Sequence, residues 1–315
     1  MNYRALVLGS EGFVGKHLRP YLLDHGWEVL GADRHSPEER TDHFQCDISD
    51  SEQVEALFEW AGDIGCVFHL AGITFIPEAE RDPGRLISNN LVGSINVATT
   101  LLRRVPSARL INISSSETYG MPRSLPIDEE HPLWPRNPYA IAKAAFEQYC
   151  SMLRNNKNLD VVTIRPFNHS GPGQRPDFVL PSFARQIALI EAGRHEPMVT
   201  VGNLSAVRDF LHVDDVVRAY ELAARQAPAG ETYNVCSGEG HSIRETLDRL
   251  RDLSRVDVEV KVDPARLRAI DIPAFCGRND KIARELGWKP KRAFDELLAD
   301  LLEYWRARVT EGQVA

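Results

Sequence analysis

The sequence predicts an α/β protein with a doubly wound parallel sheet, followed by a smaller mixed α/β region. Three observations carry that expectation. Through the first half, short β-rich runs alternate with stretches of helical spacing, which implies crossover connections and helices on both faces of the sheet. A glycine-rich turn joins the first run to the first helical stretch. After Pro166 the alternation loosens into helical stretches separated by loops and brief β runs.

The first strand is expected at 5–8, and the turn Gly9-Ser10-Glu11-Gly12-Phe13-Val14-Gly15 opens a helix over 15–24. Such glycines let the backbone turn sharply and approach a pyrophosphate, whose charge meets helix N-terminal N–H groups at Phe13 and Val14. This is the mark of a Rossmann-type sheet. The second strand, 28–32, leads to Asp33, placed to accept hydrogen bonds from an adenosine ribose. Arg34 follows and would meet a 2′-phosphate. After a third strand at 43–46, Asp47 and Ile48 flank the adenine position, and a helix is expected over 52–60. The fourth strand, 66–70, runs into Leu70, Ala71 and Gly72, whose small residues let a dinucleotide cross the sheet. A helix over 86–102 and a fifth strand at 109–113 precede the run Ser114-Ser115-Ser116-Glu117. The helix expected over 138–153 carries Tyr139 and Lys143 four residues apart, on one face. The sixth strand, 161–164, ends at Arg165-Pro166-Phe167-Asn168-His169, because Pro166 has no N–H for a ladder. Five helical stretches follow, at 178–192, 214–227, 242–253, 280–286 and 294–308. We therefore expect a cofactor-binding domain over 1–165 and a mainly substrate-binding region over 166–315, some segments of which return to the sheet.

A chain of 315 residues, 43% hydrophobic and 26% charged, suffices for one large domain or two smaller ones. The net charge of −8 argues against a nucleic-acid surface. Five scattered cysteines without a C-x-x-C read as small buried residues in a reducing compartment, not as a disulfide framework or metal site. With no apolar run long enough for a bilayer, and a strand immediately after Met1, the expected setting is cytoplasmic, with no membrane partner.

Ser115, Tyr139 and Lys143 form the expected catalytic set. A tyrosine hydroxyl needs help to act near neutral pH, and a neighbouring Lys143 cation could lower its pKa while also holding a nicotinamide ribose. Ser115 is placed to hydrogen-bond the same substrate oxygen. Through G-x-x-G-x-x-G, H-L-A-G, S-S-S-E-x-Y-G and Y-x-x-x-K the chain resembles the extended short-chain dehydrogenase/reductase superfamily. Within it the chain looks most like the GDP-4-keto-6-deoxy-mannose reductases, relatives of the GDP-mannose 4,6-dehydratases. The narrower likeness rests on Arg165 through Gln174, Val201-Gly202-Asn203-Leu204, Arg208-Asp209-Phe210, Tyr233 through Gly238, and Leu286-Gly287-Trp288-Lys289-Pro290.

That resemblance implies an NAD(P)H-dependent reduction of the C4 keto group of GDP-4-keto-6-deoxy-D-mannose, giving GDP-D-rhamnose or its C4 epimer GDP-6-deoxy-D-talose. It implies that Asn168 contacts the substrate diphosphate, with Ser116 beside the sugar and Pro166 and Phe167 on the nicotinamide side. Arg208 and Arg268 would hold the diphosphate and Asp271 the nucleoside ribose, although the stretch Arg268-Ala269-Ile270-Asp271 lacks the proline of the relatives. Arg185 either faces the nucleobase or is a solvated helix arginine, and Asn90 is mainly structural. Glu117 stands where dehydratases carry the base that removes the C5 proton, so a GDP-mannose 4,6-dehydratase is the nearest rival. A 4-epimerase and an NAD(P)-sensing regulator complete the alternatives. Asp33 favours NAD(H) and Arg34 would admit NADP(H). The family further implies a homodimer through the helices expected over 86–102 and 138–153.

Overall fold

The computed structural model describes residues 3–35, 40–266 and 272–313. Among them, seven parallel strands form the main sheet: β1 (Arg4–Leu8), β2 (Glu28–Asp33), β3 (His43–Gln45), β4 (Cys66–His69), β5 (Arg109–Ile113), β6 (Val161–Pro166) and, much later in the chain, Thr232–Val235. Their order across the sheet is β3, β2, β1, β4, β5, β6 and then Thr232–Val235. The chain thus builds outward from β1 to β3, then returns past β1 to lay β4 on its other flank. That reversal opens a crevice at the carboxyl ends of β1 and β4, where doubly wound sheets bind their ligands. The sheet is of the Rossmann type predicted.

Both faces are covered, as strands with almost wholly buried sequences require. On one side α1 (Phe13–Asp24) packs with a later helix, Val213–Gln226, over Val7, Phe68, Ile111 and Ile164. On the other, α2 (Ser51–Ala61) joins two helices of the middle region over Leu6, Leu30, Val67 and Leu110. Asp50 caps α2 by accepting from the N–H groups of Glu52 and Gln53.

The helix expected over 86–102 is present and carries a widened turn in its middle. After the short α3 (Ile76–Arg81) and α4 (Pro83–Ile87), residues Ser88–Val92 form a π turn before α5 (Gly93–Arg104). The cause is visible in Asn90, whose side chain is drawn out of the helix. Its Oδ1 accepts from the Ile73 N–H and its Nδ2 donates to the Ile73 carbonyl, each at 2.8 Å. A wide turn that re-aims one side chain in this way is typical of functional regions. The long helix α6 (Pro138–Lys157) then follows, capped by Asn137, whose Oδ1 accepts from the Ala140 N–H.

The loop expected after 164 is also more ordered than the sequence suggested. The strand β6 runs to Pro166, beyond which the Phe167 N–H donates to the Val235 carbonyl at 2.9 Å, and Asn168–Ser170 forms a further short strand, β7. Between them the chain leaves the main sheet for a second one, where β7 pairs in parallel with β9 (Val207–His212). The pieces between and after are α7 (Val179–Glu191), β8 (Met198–Val201), α8 (Val213–Gln226), β10 (Thr232–Val235), β11 (Gly240–Ser242), α9 (Ile243–Asp252), β12 (Glu259–Val262), β13 (Ala274–Phe275), α10 (Asp280–Leu286) and α11 (Phe294–Thr310). β11 and β13 flank β9, and β12 pairs with β8. The helices α7, α9 and α11 bury Phe183, Ile187, Leu247, Leu298 and Trp305 in a core of their own. Among the described residues, no helix is long and apolar enough to cross a membrane. The cysteines are all free, with only Cys276 less than fully buried.

Candidate active site

The crevice begins at the glycine turn. Gly9 has φ +81°, a conformation that an L side chain rarely adopts, and a Cβ there would lie 2.8 Å from the Ala71 backbone nitrogen. A Cβ on Gly15 would collide with the Gly9 carbonyl oxygen, so α1 can approach β1 only because that atom is missing. Gly12 caps α1 without a side chain. The helix N–H groups at Phe13 and Val14 are therefore free of a side-chain cap and face the crevice end of the fold. This cradle fits the pyrophosphate of a dinucleotide.

Asp33 ends β2 beside the turn. Its Oδ2 accepts from the Glu11 N–H at 3.2 Å, tying the carboxylate to the cradle. Arg34 is exposed and lies with Phe44, Gln45, Asp47 and Gln53 around a surface depression. Asp47 is turned partly to local work, its Oδ1 accepting from the Ser49 N–H and hydroxyl. Ile48 packs against Gly93, whose missing Cβ would meet the Ile48 side chain at 2.7 Å. Leu70 continues the sheet, its N–H donating to Leu8 O, while Ala71 and Gly72 fill the contacts with Gly9 and Asn90.

At the other side of the crevice stand Ser115, Tyr139 and Lys143, all buried. Ser115 caps a short 3-10 turn, Ser116–Tyr119, its Oγ accepting from the Glu117 N–H at 3.2 Å. Burial pushes the Tyr139 hydroxyl up to about 12, against a hydrogen bond with Ser115 that favours the phenolate; the Glu117 charge adds to the rise. Burial brings Lys143 down to about 8, with the Glu147 carboxylate opposing. The Lys143 ammonium donates to the Ile113 carbonyl at 2.6 Å. The expectation that Lys143 lowers the tyrosine pKa is not met here: Tyr139 is raised, because burial outweighs the Ser115 hydrogen bond, the one influence that favours the phenolate. Glu117 is half-buried, and its Oε2 accepts from Asn137 Nδ2 at 3.1 Å.

The substrate-side residues are only partly assembled. Pro166 is buried at the end of β6, and Asn168 is half-buried at the start of β7, in register with Phe210. Arg208 lies two residues earlier on β9, donating to the carbonyls of Val207 and Ile272 at 2.8 and 2.7 Å. Ser116 is buried in the 3-10 turn. Arg185 sits half-buried on α7. Arg268 and Asp271 lie outside the described residues. The Phe167 ring is fully buried among Tyr119, Ile127, Cys236 and Phe275, so it supports the loop from beneath.

Glu147 was not singled out by the sequence, and Arg165 and Asp209 entered only as members of motifs, without a role. Glu147 and Arg165 form an ion pair at 2.6 Å behind the serine turn; the i+4 spacing of Glu147 from Lys143 was the available signal. Asp209 accepts from the N–H groups of Ser237, Gly238 and Gly277 at 2.8, 3.0 and 3.2 Å, clamping two loops beside Arg208.

Residues 6–301 match the family model described as GDP-mannose 4,6 dehydratase. The chain belongs to that family. It is 38% identical to the GDP-6-deoxy-D-mannose reductase of Pseudomonas aeruginosa, over 99% of this chain and 100% of the relative. The structure of RMD from Pseudomonas aeruginosa complexed with NADPH superposes with a TM-score of 0.88 at 37% identity, covering 97% of this chain and 99% of that one. A UDP-glucose 4-epimerase of Thermus thermophilus, solved as a complex with NAD, superposes with a TM-score of 0.85 at 30% identity, covering 96% and 99%. The protein is a nicotinamide-dependent enzyme of nucleotide sugars.

Proposed function

We propose that the protein reduces the C4 keto group of GDP-4-keto-6-deoxy-D-mannose, giving GDP-D-rhamnose or GDP-6-deoxy-D-talose. The observation that carries this reading is the buried Ser115–Tyr139–Lys143 set beside a dinucleotide cradle, in a chain similar over its full length to a GDP-6-deoxy-D-mannose reductase. When bound, the reduced nicotinamide supplies the hydride for C4. Gly9, Gly12, Gly15 and the helix N–H groups of Phe13 and Val14 hold the pyrophosphate, and Asp33, Arg34, Asp47 and Ile48 receive the adenosine. Leu70, Ala71, Gly72 and Pro166 line the path across the sheet. Tyr139 protonates the C4 oxygen. Its raised pKa suits that task, because the hydroxyl stays protonated through neutral pH and gives up its proton only to a base as strong as an alkoxide. Ser115 donates to the same oxygen, and Lys143 binds the nicotinamide ribose and stabilises developing charge. Ser116 contacts the sugar. Asn168, Arg208 and Arg268 take the diphosphate, Asp271 the nucleoside ribose and Arg185 the nucleobase.

In this reading residues 1–165 bind the cofactor and 166–315 mainly the sugar nucleotide. NADH is the preferred donor, since the Asp33 carboxylate would repel a 2′-phosphate and accept from a free ribose hydroxyl. The molecule works as a dimer through α5 and α6, whose neighbourhood carries the exposed apolar side chains Val92, Ile141 and Met152. One observation favours a second reading: Glu117 lies close enough to Tyr139 to raise its pKa, where a dehydratase would need a base. The test is turnover on a panel of 4-keto-6-deoxy nucleotide sugars with both reduced cofactors. The GDP-4-keto-6-deoxy-mannose arm should show the highest kcat/KM; preference for a UDP or dTDP sugar would refute the assignment.

A further inference from the structure

Behind the serine turn lies a buried polar network with no direct place in the proposed chemistry. Glu147 follows Lys143 by one turn of α6 and Tyr139 by two. Its side chain is 7% exposed and that of Arg165 8%. The Arg165 Nε donates to both carboxylate oxygens at 3.1 and 3.2 Å, and Nη2 to Oε2 at 2.6 Å, a forked arrangement. The Ser114 hydroxyl donates to Glu147 Oε1. The far side of Arg165 is fixed as well: Nη1 donates to the Tyr119 hydroxyl at 3.0 Å, which donates in turn to Asn234 Oδ1 at 2.7 Å. One carboxylate therefore joins α6, the end of β5, the 3-10 turn, β6 and β10. Ion pairs so deeply buried contribute little net stability, because desolvation offsets their attraction.

We propose that Glu147, held by Arg165, is a positioning residue that fixes Ser115 and Lys143 relative to one another. The inference rests on the keto reduction argued above. Through Ser114, one residue before Ser115, Glu147 restrains the serine turn; through one helical turn it faces Lys143. The charged and titratable groups around Lys143 and Tyr139 are Tyr139 and Glu147 on α6, His69 from β4, Arg165 from β6, Glu117 from the 3-10 turn and Tyr220 from α8. Burial keeps His69 neutral down to about 3, with Lys143 adding to the effect. Glu147 is the group that opposes the loss of the Lys143 proton on burial. Removing its charge must release that proton at lower pH.

The test is Glu147→Gln, which preserves shape and removes charge. The basic limb of the kcat profile should move about one unit to lower pH. Above that limb kcat should fall about tenfold while KM for the sugar nucleotide is unchanged. Binding of NADH or NADPH, followed by nicotinamide fluorescence without any sugar, should weaken with rising pH over the same displaced range. A purely structural Glu147 would lower the melting temperature and leave the limb, kcat and binding profile in place, which would overturn the proposal. Should the Gln variant not fold, Glu147→Leu with Arg165→Met replaces the pair by apolar groups. That protein loses the Arg165 cation together with the carboxylate, so its binding profile should be displaced in the same direction by less than in the Gln variant, and an unmoved profile overturns the proposal equally. Because the fluorescence titration needs no sugar, absence of keto-sugar turnover in the wild type counts against the reaction alone.

Discussion

In the proposed reaction, replacing Tyr139 by Phe removes the proton that the C4 oxygen is to receive, while the cradle and Lys143 remain. The expected outcome in steady-state assays is a kcat roughly two to four orders of magnitude lower, with cofactor affinity barely changed. Near wild-type turnover would exclude Tyr139 as the donor. Arg208 tests the other end of the substrate. A guanidinium fork on a diphosphate contributes about 1.5–3 kcal/mol, so Arg208→Ala should raise KM for the sugar nucleotide and spare dinucleotide binding. Equal weakening of both would make Arg208 a residue of the fold, a role its bonds to the Val207 and Ile272 carbonyls could also support. At this scale, residue types at fixed spacing were readable: Tyr139 and Lys143 share a helix face whatever packs around them. The electrostatics were not, since the rise of the Tyr139 pKa depends on burial by segments distant in sequence.

The glycine turn acts as one element with β1, α1 and the 70–72 segment. Gly9→Ala places a methyl group against the Ala71 backbone at a positive φ, and that strain alone costs of order 1–3 kcal/mol. We expect a lower melting temperature and weaker dinucleotide binding by calorimetry, with no change confined to the sugar. In the proposed reading the end of β2 sets cofactor choice: with Asp33 held at the Glu11 N–H, kcat/KM should be higher with NADH than with NADPH, and the reverse would mean that Arg34 prevails. Strand and turn signals were legible because they are local. The π turn at Ser88–Val92 was not, because its cause is the bond between Asn90 and Ile73 across the fold. The short strand β7 was hidden for the same reason: its partner, β9, lies almost forty residues on.

For the whole molecule, the parallel sheet followed from alternation and from buried apolar runs, and family membership from motifs spread over the chain. What alternation could not specify was the second sheet, where β7, β11 and β13 gather on β9 and the Asp209 clamp joins their loops. Strands of that kind are too short to announce themselves. The central claim is that this assembled crevice reduces a keto sugar instead of making one. The direct measurement is the stoichiometry of reduced cofactor consumed per GDP-sugar, with Glu117→Gln and Tyr139→Phe run beside the wild type. The account predicts that GDP-4-keto-6-deoxy-mannose oxidises NAD(P)H one for one, that GDP-mannose with catalytic NAD(P)+ yields no keto product, and that Glu117→Gln slows reduction far less than Tyr139→Phe. Keto sugar accumulating from GDP-mannose, and abolished by Glu117→Gln, would contradict it in favour of the dehydratase.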